Sequence, residues 1–217
     1  MGELRLNEPD ATPRRRDAAT TRRKLLVAAR AEFARSGLAG ARVDEIAARA
    51  GVNKQLVYHY FGDKDAMYFA VIEWIYGEIR DSQNALNLRG LSPDKIIKKL
   101  IESTFDYLTR HPDFVALLND ENRNGARHIS SSRKFSGTGS PLLSTVAHAL
   151  DQGVRGGIFR KGINAEQLYI SIAGLSYFYF SGMPTLSTVL QKDLASVAAL
   201  RKRRKHVVDL VLQSLRA

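Results

Sequence analysis

VDEIAARAGVNKQLVYHYFGDKDAM, residues 43–67, contains two short apolar-periodic runs separated by a glycine. Val43, Ile46, Ala47 and Ala50 recur at helical spacing and stop at Gly51; the second run starts after Asn53, a good N-cap residue, and continues to Phe61. The following Gly62-Asp63 breaks it, and Asp63 is placed to cap the next helix. Two helices of about eight residues, joined by a turn with glycine at its start and an apolar residue after it, form a helix-turn-helix, whose second helix enters the major groove of DNA. Val52, Val57 and Tyr60 fall where they pack on Ile46, Ala47 and Ala50, so Lys54, Gln55, Leu56, Tyr58 and His59 turn outward or to the edge. That outward set suits DNA. Lysine donates to guanine O6 or N7, glutamine pairs with adenine, an exposed leucine meets the thymine methyl, and a tyrosine hydroxyl donates to phosphate.

Upstream, Leu26, Ala29 and Phe33 recur at helical spacing, with Arg22, Arg23, Arg30 and Arg35 over the remaining surface and Ser36-Gly37 as a stop, which predicts a first helix over 18–35. Residues 1–17 carry two prolines, alternating charges and Arg14, Arg15 and Arg16, without apolar periodicity, and read as a disordered basic arm. Together with Arg22 to Lys24 it reads either as a minor-groove arm or as a charged tail. Lys plus Arg number 33 against 22 for Asp plus Glu, a formal net charge of +11, which favours a polyanionic partner. With no cysteine, disulfides and thiolate metal sites are excluded. The sequence has no apolar run of membrane-spanning length and its first residues lack a signal-peptide core, so the expected location is the cytoplasm, at the nucleoid, with no membrane partner.

Downstream, residues 63–217 read as a larger all-α domain, with helices expected over 63–82, 93–110, 112–124, 141–155, 164–181 and 193–215. Pro93 and Pro112 sit at helix starts, where a missing N–H costs little. Residues 125–140, with eight Gly or Ser, read as a flexible loop. The stretch 168–180, LYISIAGLSYFYF, is apolar nearly all round and must be covered by its own domain or by a partner. The histidines do not pair at metal-ligand spacing, and neither HExxH, a nucleophile elbow nor a nucleotide-binding glycine loop is found, so no enzyme, metal or cofactor is expected. The run Arg201 to His206 reads as a solvated helix face. Glu121, Asn122, Arg127 and His128 at a helix end, with Tyr107, Phe114, Phe159, Tyr169 and Phe178 as apolar walls, make a candidate effector pocket, with Arg127 favouring a carboxylate.

Residues 20–67, including AARAEFARSG in the first helix and the YHYF..K ending, closely resemble the DNA-binding signature of TetR-family transcriptional repressors. The resemblance implies an all-α protein with a three-helix DNA-binding domain over 18–62 and an effector-binding and dimerisation domain over 63–217. By the same resemblance Lys54, Gln55, Leu56 and His59 face bases, while Asn53, Tyr58, Tyr60 and Lys64 hold phosphates. Two positions depart from the family pattern. Arg42 replaces the usual threonine before the second helix, leaving a poor N-cap with a phosphate-contacting option, and Gln55 replaces a small residue or proline, so base preference is not transferable. The family dimerises through a four-helix bundle. Here the bundle would use Ala173, Gly174 and Tyr177 with the final stripe of Leu194, Val197, Val208, Val211 and Leu215. The implied function is a homodimeric repressor released from palindromic operator DNA by a small molecule. The C-terminal pattern resembles a subgroup associated with catabolism of aromatics or nitrogen heterocycles. The alternative reading is an architectural DNA binder without an effector.

Overall fold

Gly51 closes the second helix in the left-handed region at φ 67°, where a side chain would be strained, and its N–H and that of Val52 return to the carbonyls of Ala47 and Ala48. That turn sets the local fold of the first of two units, Met1–Val71 and Ile72–Ala217, in the computed structural model, which describes residues 13–132 and 141–217. In the first unit α1 is Pro13–Gly40, broken at Gly37, α2 is Val43–Ala50 and α3 is Lys54–Phe61. α4, Lys64–Asn84, carries residues of both units, since the division falls at 71/72 and not at the expected 62/63. α1 starts five residues earlier than expected. Residues 13–17 of the expected arm are therefore helical; residues 1–12, and the side chains of Arg14, Arg15 and Arg16, lie outside the described residues.

The first unit buries Leu25, Ala29, Phe33, Ile46, Ala47, Val57, Met67 and Tyr68, with the rings of Phe33 and Tyr68 edge to face at 5.1 Å. Leu26, expected in this core, is half-buried and Leu25 takes its place. Asn53 caps α3 by accepting from the Gln55 N–H at 2.9 Å, and Asp63 caps α4 by accepting from the Ala66 N–H at 2.7 Å.

In the second unit follow α5 (Pro93–Arg110), α6 (Pro112–Arg123), α7 (Arg127–Ser131), α8 (Pro141–Arg155), α9 (Ala165–Ser181), α10 (Met183–Leu190) and α11 (Val197–Leu215). The fold class is all-α, with no strand among the described residues. α7 lies in the stretch expected to be loop, whose residues 133–140 are outside the description, and α10 was not expected. α11 starts at Val197 because Asp193 and Ser196 turn the chain first, accepting from the N–H groups of Ala195 and Ala199. α5, α8, α9 and α11 meet in one core that includes Ile97, Ile101, Val146, Phe159, Ile172, Val207, Val208, Val211 and Leu215. The loop after α8 is stitched to the end of α11: the Arg160 N–H and its Nε donate to the carbonyls of Leu215 and Ser214, each at 2.9 Å. No helix among the described residues is long and apolar enough to cross a membrane.

Candidate nucleic-acid interface and ligand cavity

The register of α3 divides its residues as a recognition helix requires. Val57 is fully buried, while Lys54, Gln55, Tyr58 and His59 are exposed and Leu56 and Tyr60 are half-buried. His59 and Tyr60 stand edge to face at 5.1 Å. Lys54 is already engaged: its Nζ lies 2.6 Å from the Asp44 carboxylate on α2. That hydrogen bond, with the charge attraction, raises the Lys54 pKa and lowers that of Asp44, so both stay ionised. Arg42 is exposed, 3.9 Å from the same carboxylate.

Two expected phosphate residues have structural tasks. The Asn53 side-chain oxygen is occupied as the α3 cap. Lys64 Nζ donates to the carbonyls of Ala39 and Ala41, 3.2 Å each, tying the start of α4 to the α1–α2 connection. An ammonium has three donors, and two are directed into the protein here.

Sequence reasoning missed Glu32, which is almost fully buried on α1. Its carboxylate is gripped by Arg35, at 2.7 and 2.9 Å to Nη2, and accepts from the backbone N–H of Arg42. These bonds, the Arg35 hydrogen bond foremost, outweigh desolvation and lower its pKa. Arg42 opens α2 without a side-chain cap, and Glu32 performs from α1 the task that a capping-box glutamate performs within one helix. The signal lay in its register: an acid one step from Phe33 on the stripe Leu25, Ala29, Phe33 cannot face solvent.

The second unit holds a cavity of about 650 Å³. α4 contributes Tyr76, Ile79, Arg80 and Gln83; α5, Thr104 and Leu108; α6, Phe114, Leu118 and Asn122; α7, Ile129; α9, Tyr169, Ile170, Ala173, Gly174 and Tyr177. Among the expected pocket residues, Phe114, Asn122 and Tyr169 are here. The others are elsewhere. Glu121 and His128 form a buried pair, Nδ1 to carboxylate 2.7 Å, and Glu121 also accepts the backbone N–H groups of His128 and Ile129 at 2.8 and 3.1 Å, pinning α7 onto α6. Tyr107 is buried behind Phe114 and stacks on His111. Phe159 belongs to the core, its ring occupying the space over Gly153. Arg127 and Phe178 are exposed and not on the cavity wall.

The expected dimer residues also divide. Ala173, Gly174 and Tyr177 line the cavity, and Val208, Val211 and Leu215 are buried in their own chain's core, while Leu194 is half-buried and Val197 of the same stripe is exposed. The Tyr177 hydroxyl donates to Asn119, and burial raises its pKa. No group of three or more His, Cys, Asp or Glu placed to hold a metal occurs among the described residues.

A family model described as bacterial regulatory proteins of the tetR family matches residues 25–71, and one described as a tetracyclin repressor-like C-terminal domain matches residues 93–211. The HTH-type transcriptional repressor NicS of Pseudomonas putida KT2440 is 32% identical over 203 residues, covering 94% of this chain and 96% of that protein. The ketosteroid transcriptional regulator KstR2 of Mycobacterium tuberculosis superposes with a TM-score of 0.62 at 21% identity, over 96% of this chain and 97% of that one. FadR of Bacillus subtilis, solved in complex with stearoyl-CoA, superposes with a TM-score of 0.67 at 17% identity, over 89% of this chain and 98% of that one. At these identities the two structures demonstrate a shared fold.

Proposed function

This chain belongs to the TetR family of bacterial DNA-binding transcriptional regulators, and from that membership we propose that it is a repressor which grips a two-fold operator as a homodimer and releases it when a small molecule fills the cavity of its second unit. The observation that carries this reading is the divided face of α3, with Val57 buried and Gln55, Tyr58 and His59 exposed beside Lys54. Gln55 and Lys54 read base edges in the major groove, with Leu56 and His59 beside them; Tyr58, Tyr60, Arg42 and the remaining donor of Lys64 address the backbone. Two such helices related by a two-fold axis address half-sites about 34 Å apart, so the operator is an imperfect palindrome. The dimer surface is drawn from apolar side chains left bare in the single chain: Phe178 on α9, Val189 and Leu190 on α10, Val197 on α11. The repressor acts in the cytoplasm.

Small-molecule control is supported by the cavity and by FadR, a protein of this fold solved with a bound acyl-CoA. α4 is the lever in this reading: Gly62 and Asp63 alone separate it from α3, and it supplies Tyr76, Ile79, Arg80 and Gln83 to the cavity wall. A ligand that prefers a displaced α4 by about 1–3 kcal/mol weakens operator affinity roughly 5- to 150-fold. The test is selection of genomic fragments by the purified protein, followed by a screen for compounds that free the selected fragment. A palindromic consensus and at least one releasing compound are expected; fragments without a common palindrome would overturn the reading.

A further inference from the structure

Arg203 and Arg204 are neighbours on α11, in the basic run that reads from the sequence as a solvated face, yet both are half-buried. Arg204 is compensated by two carboxylates of α5, with Nη1 3.1 Å from Glu102 and Nε 2.8 Å from Asp106. Arg203 meets only neutral groups. Its Nη2 donates to the Leu175 carbonyl at 2.8 Å, its guanidinium lies over the Tyr179 ring at 5.7 Å, and its Nε is shielded from solvent without a hydrogen-bond partner. Burial lowers its pKa, and no carboxylate among the described residues pairs with it. A half-buried cation held by dipoles alone is short of a counter-charge.

Arg203 lines a groove of about 600 Å³ formed by α9, α11 and the connection from α10 to α11. Tyr179, Leu190, Leu194 and Ala199 give the groove apolar surface; Lys192, Asp193, Lys202 and His206 are its other polar side chains. The chain enters it through Gln191, whose φ of 52° lies in the left-handed region that glutamine rarely takes, and Lys192 follows onto the wall. Asp193 is the one acid on this wall, and its carboxylate already accepts from the Ala195 N–H at 2.9 Å. Lys192, Lys202 and Arg203 against Asp193 leave a surplus of two positive charges, with His206 not counted. The start of α11 at Ser196 adds the positive end of a helix dipole. A monoanion answers half of that surplus, whereas a phosphate monoester, at about −1.5 to −2 charges near pH 7, answers it nearly in full. The apolar surface suits the organic part of such an ester.

We propose that this groove, which shares no lining residue with the cavity between α4 and α9, binds the phosphate monoester of a small apolar or aromatic alcohol, with Arg203, Lys202 and Lys192 on the phosphate and Leu190 and Leu194 on the organic part. Leu190 also belongs to the bare apolar set assigned to the dimer, so the second copy of the chain is the competing occupant.

The test is calorimetry on the full chain without DNA, at about pH 8, where the monoester is a dianion. The probes are phenyl phosphate, benzenesulfonate and inorganic phosphate. Phenyl phosphate should bind roughly tenfold more tightly than the other two, which lack the second charge or the ring. Lys192 and Lys202 are exposed, so Lys192→Gln and Lys202→Gln spare the fold. Each should weaken phenyl phosphate about fivefold, and together they should abolish its advantage over benzenesulfonate. Leu190→Ser should weaken phenyl phosphate and leave inorganic phosphate unchanged. Arg203→Gln should abolish binding; should that variant unfold, the lysine variants carry the test. Lys205→Gln is the control, since it removes the same charge from the same run but at a side chain engaged with Asp209 and off the groove. Equal binding of benzenesulfonate, an equal loss in Lys205→Gln, or no binding of phenyl phosphate would overturn the proposal. In the last case, binding regained by Phe178→Glu would assign the groove to an acid of the second copy.

Discussion

Asp44 stands beside the first residue of α3, its carboxylate 2.6 Å from the Lys54 ammonium. Both groups are about half exposed, so the pair contributes little to stability, yet it decides how freely the lysine meets a polyanion. A phosphate or a guanine edge has to compete with Asp44, which makes the lysine discriminate. Asp44→Asn should therefore tighten binding to non-operator DNA more than to operator, and steepen log K against log salt by up to about one phosphate contact, a slope change near 0.9. The control is Glu45→Gln, which removes the same charge from the same turn without touching Lys54; binding curves at several salt concentrations for both variants settle it. If the two variants behave alike, only the local field matters and the pair has no role of its own. The exposure of Lys54 was legible in the sequence because Val57 fixes the register of α3. Its partner was not legible, since a period of 3.6 says which way a side chain leaves the helix and nothing about where a long exposed chain ends. The partners of Lys64 were not legible for the same reason: the carbonyls of Ala39 and Ala41 that hold it lie more than twenty residues away.

Helices with a cap, a proline at their first position or a long apolar stripe were readable to within a few residues. α5 and α6 begin at Pro93 and Pro112, and α8 ends at Arg155, as expected. α7 was not readable. It is five residues long in a serine-rich stretch, too short to persist by propensity, and depends on the Glu121 carboxylate from another helix. Phe159, expected as an apolar pocket wall, is instead part of the core. Gly153 explains its true position: a Cβ built there would lie 2.0 Å from the ring. The helix lacks a side chain at that point so that the ring can lie against its backbone. Gly153→Ala should thus destabilise the second unit by roughly 1–3 kcal/mol or more, against the stabilisation that glycine-to-alanine usually gives in a helix. Urea unfolding of the variant checks this, and an unchanged or higher midpoint would show that the ring is free to move.

The whole chain presents one pattern that neither residues nor helices explain alone. α11 has a single strong stripe, and the core of the second unit consumes it through Val207, Val208, Val211 and Leu215. Among the apolar side chains that remain outward are Phe178, 61% exposed, with Val189, Leu190 and Val197. Periodicity revealed that α9 and α11 bury apolar faces; which face meets its own chain depends on tertiary packing. Phe178→Glu should leave the fold intact, since most of the side chain is exposed in its own chain, while shifting sedimentation from dimer to monomer at micromolar concentration and lowering affinity for a two-half-site operator far more than for a single half-site. A dimer that persists in this variant would move the interface elsewhere.

The stitching of Arg160 to the carbonyls of Ser214 and Leu215, together with the four core residues that α11 supplies, also sets an order of assembly during translation. The first unit, through Val71, has its core residues in hand early and can close while the ribosome is still at work. The second unit cannot: Ile97, Val146 and Ile172 wait for the last helix to emerge. A growing chain therefore displays a finished DNA reader before its sensor is complete. Premature termination before α11 would release a fragment that retains the recognition helix without the core of the domain meant to control it.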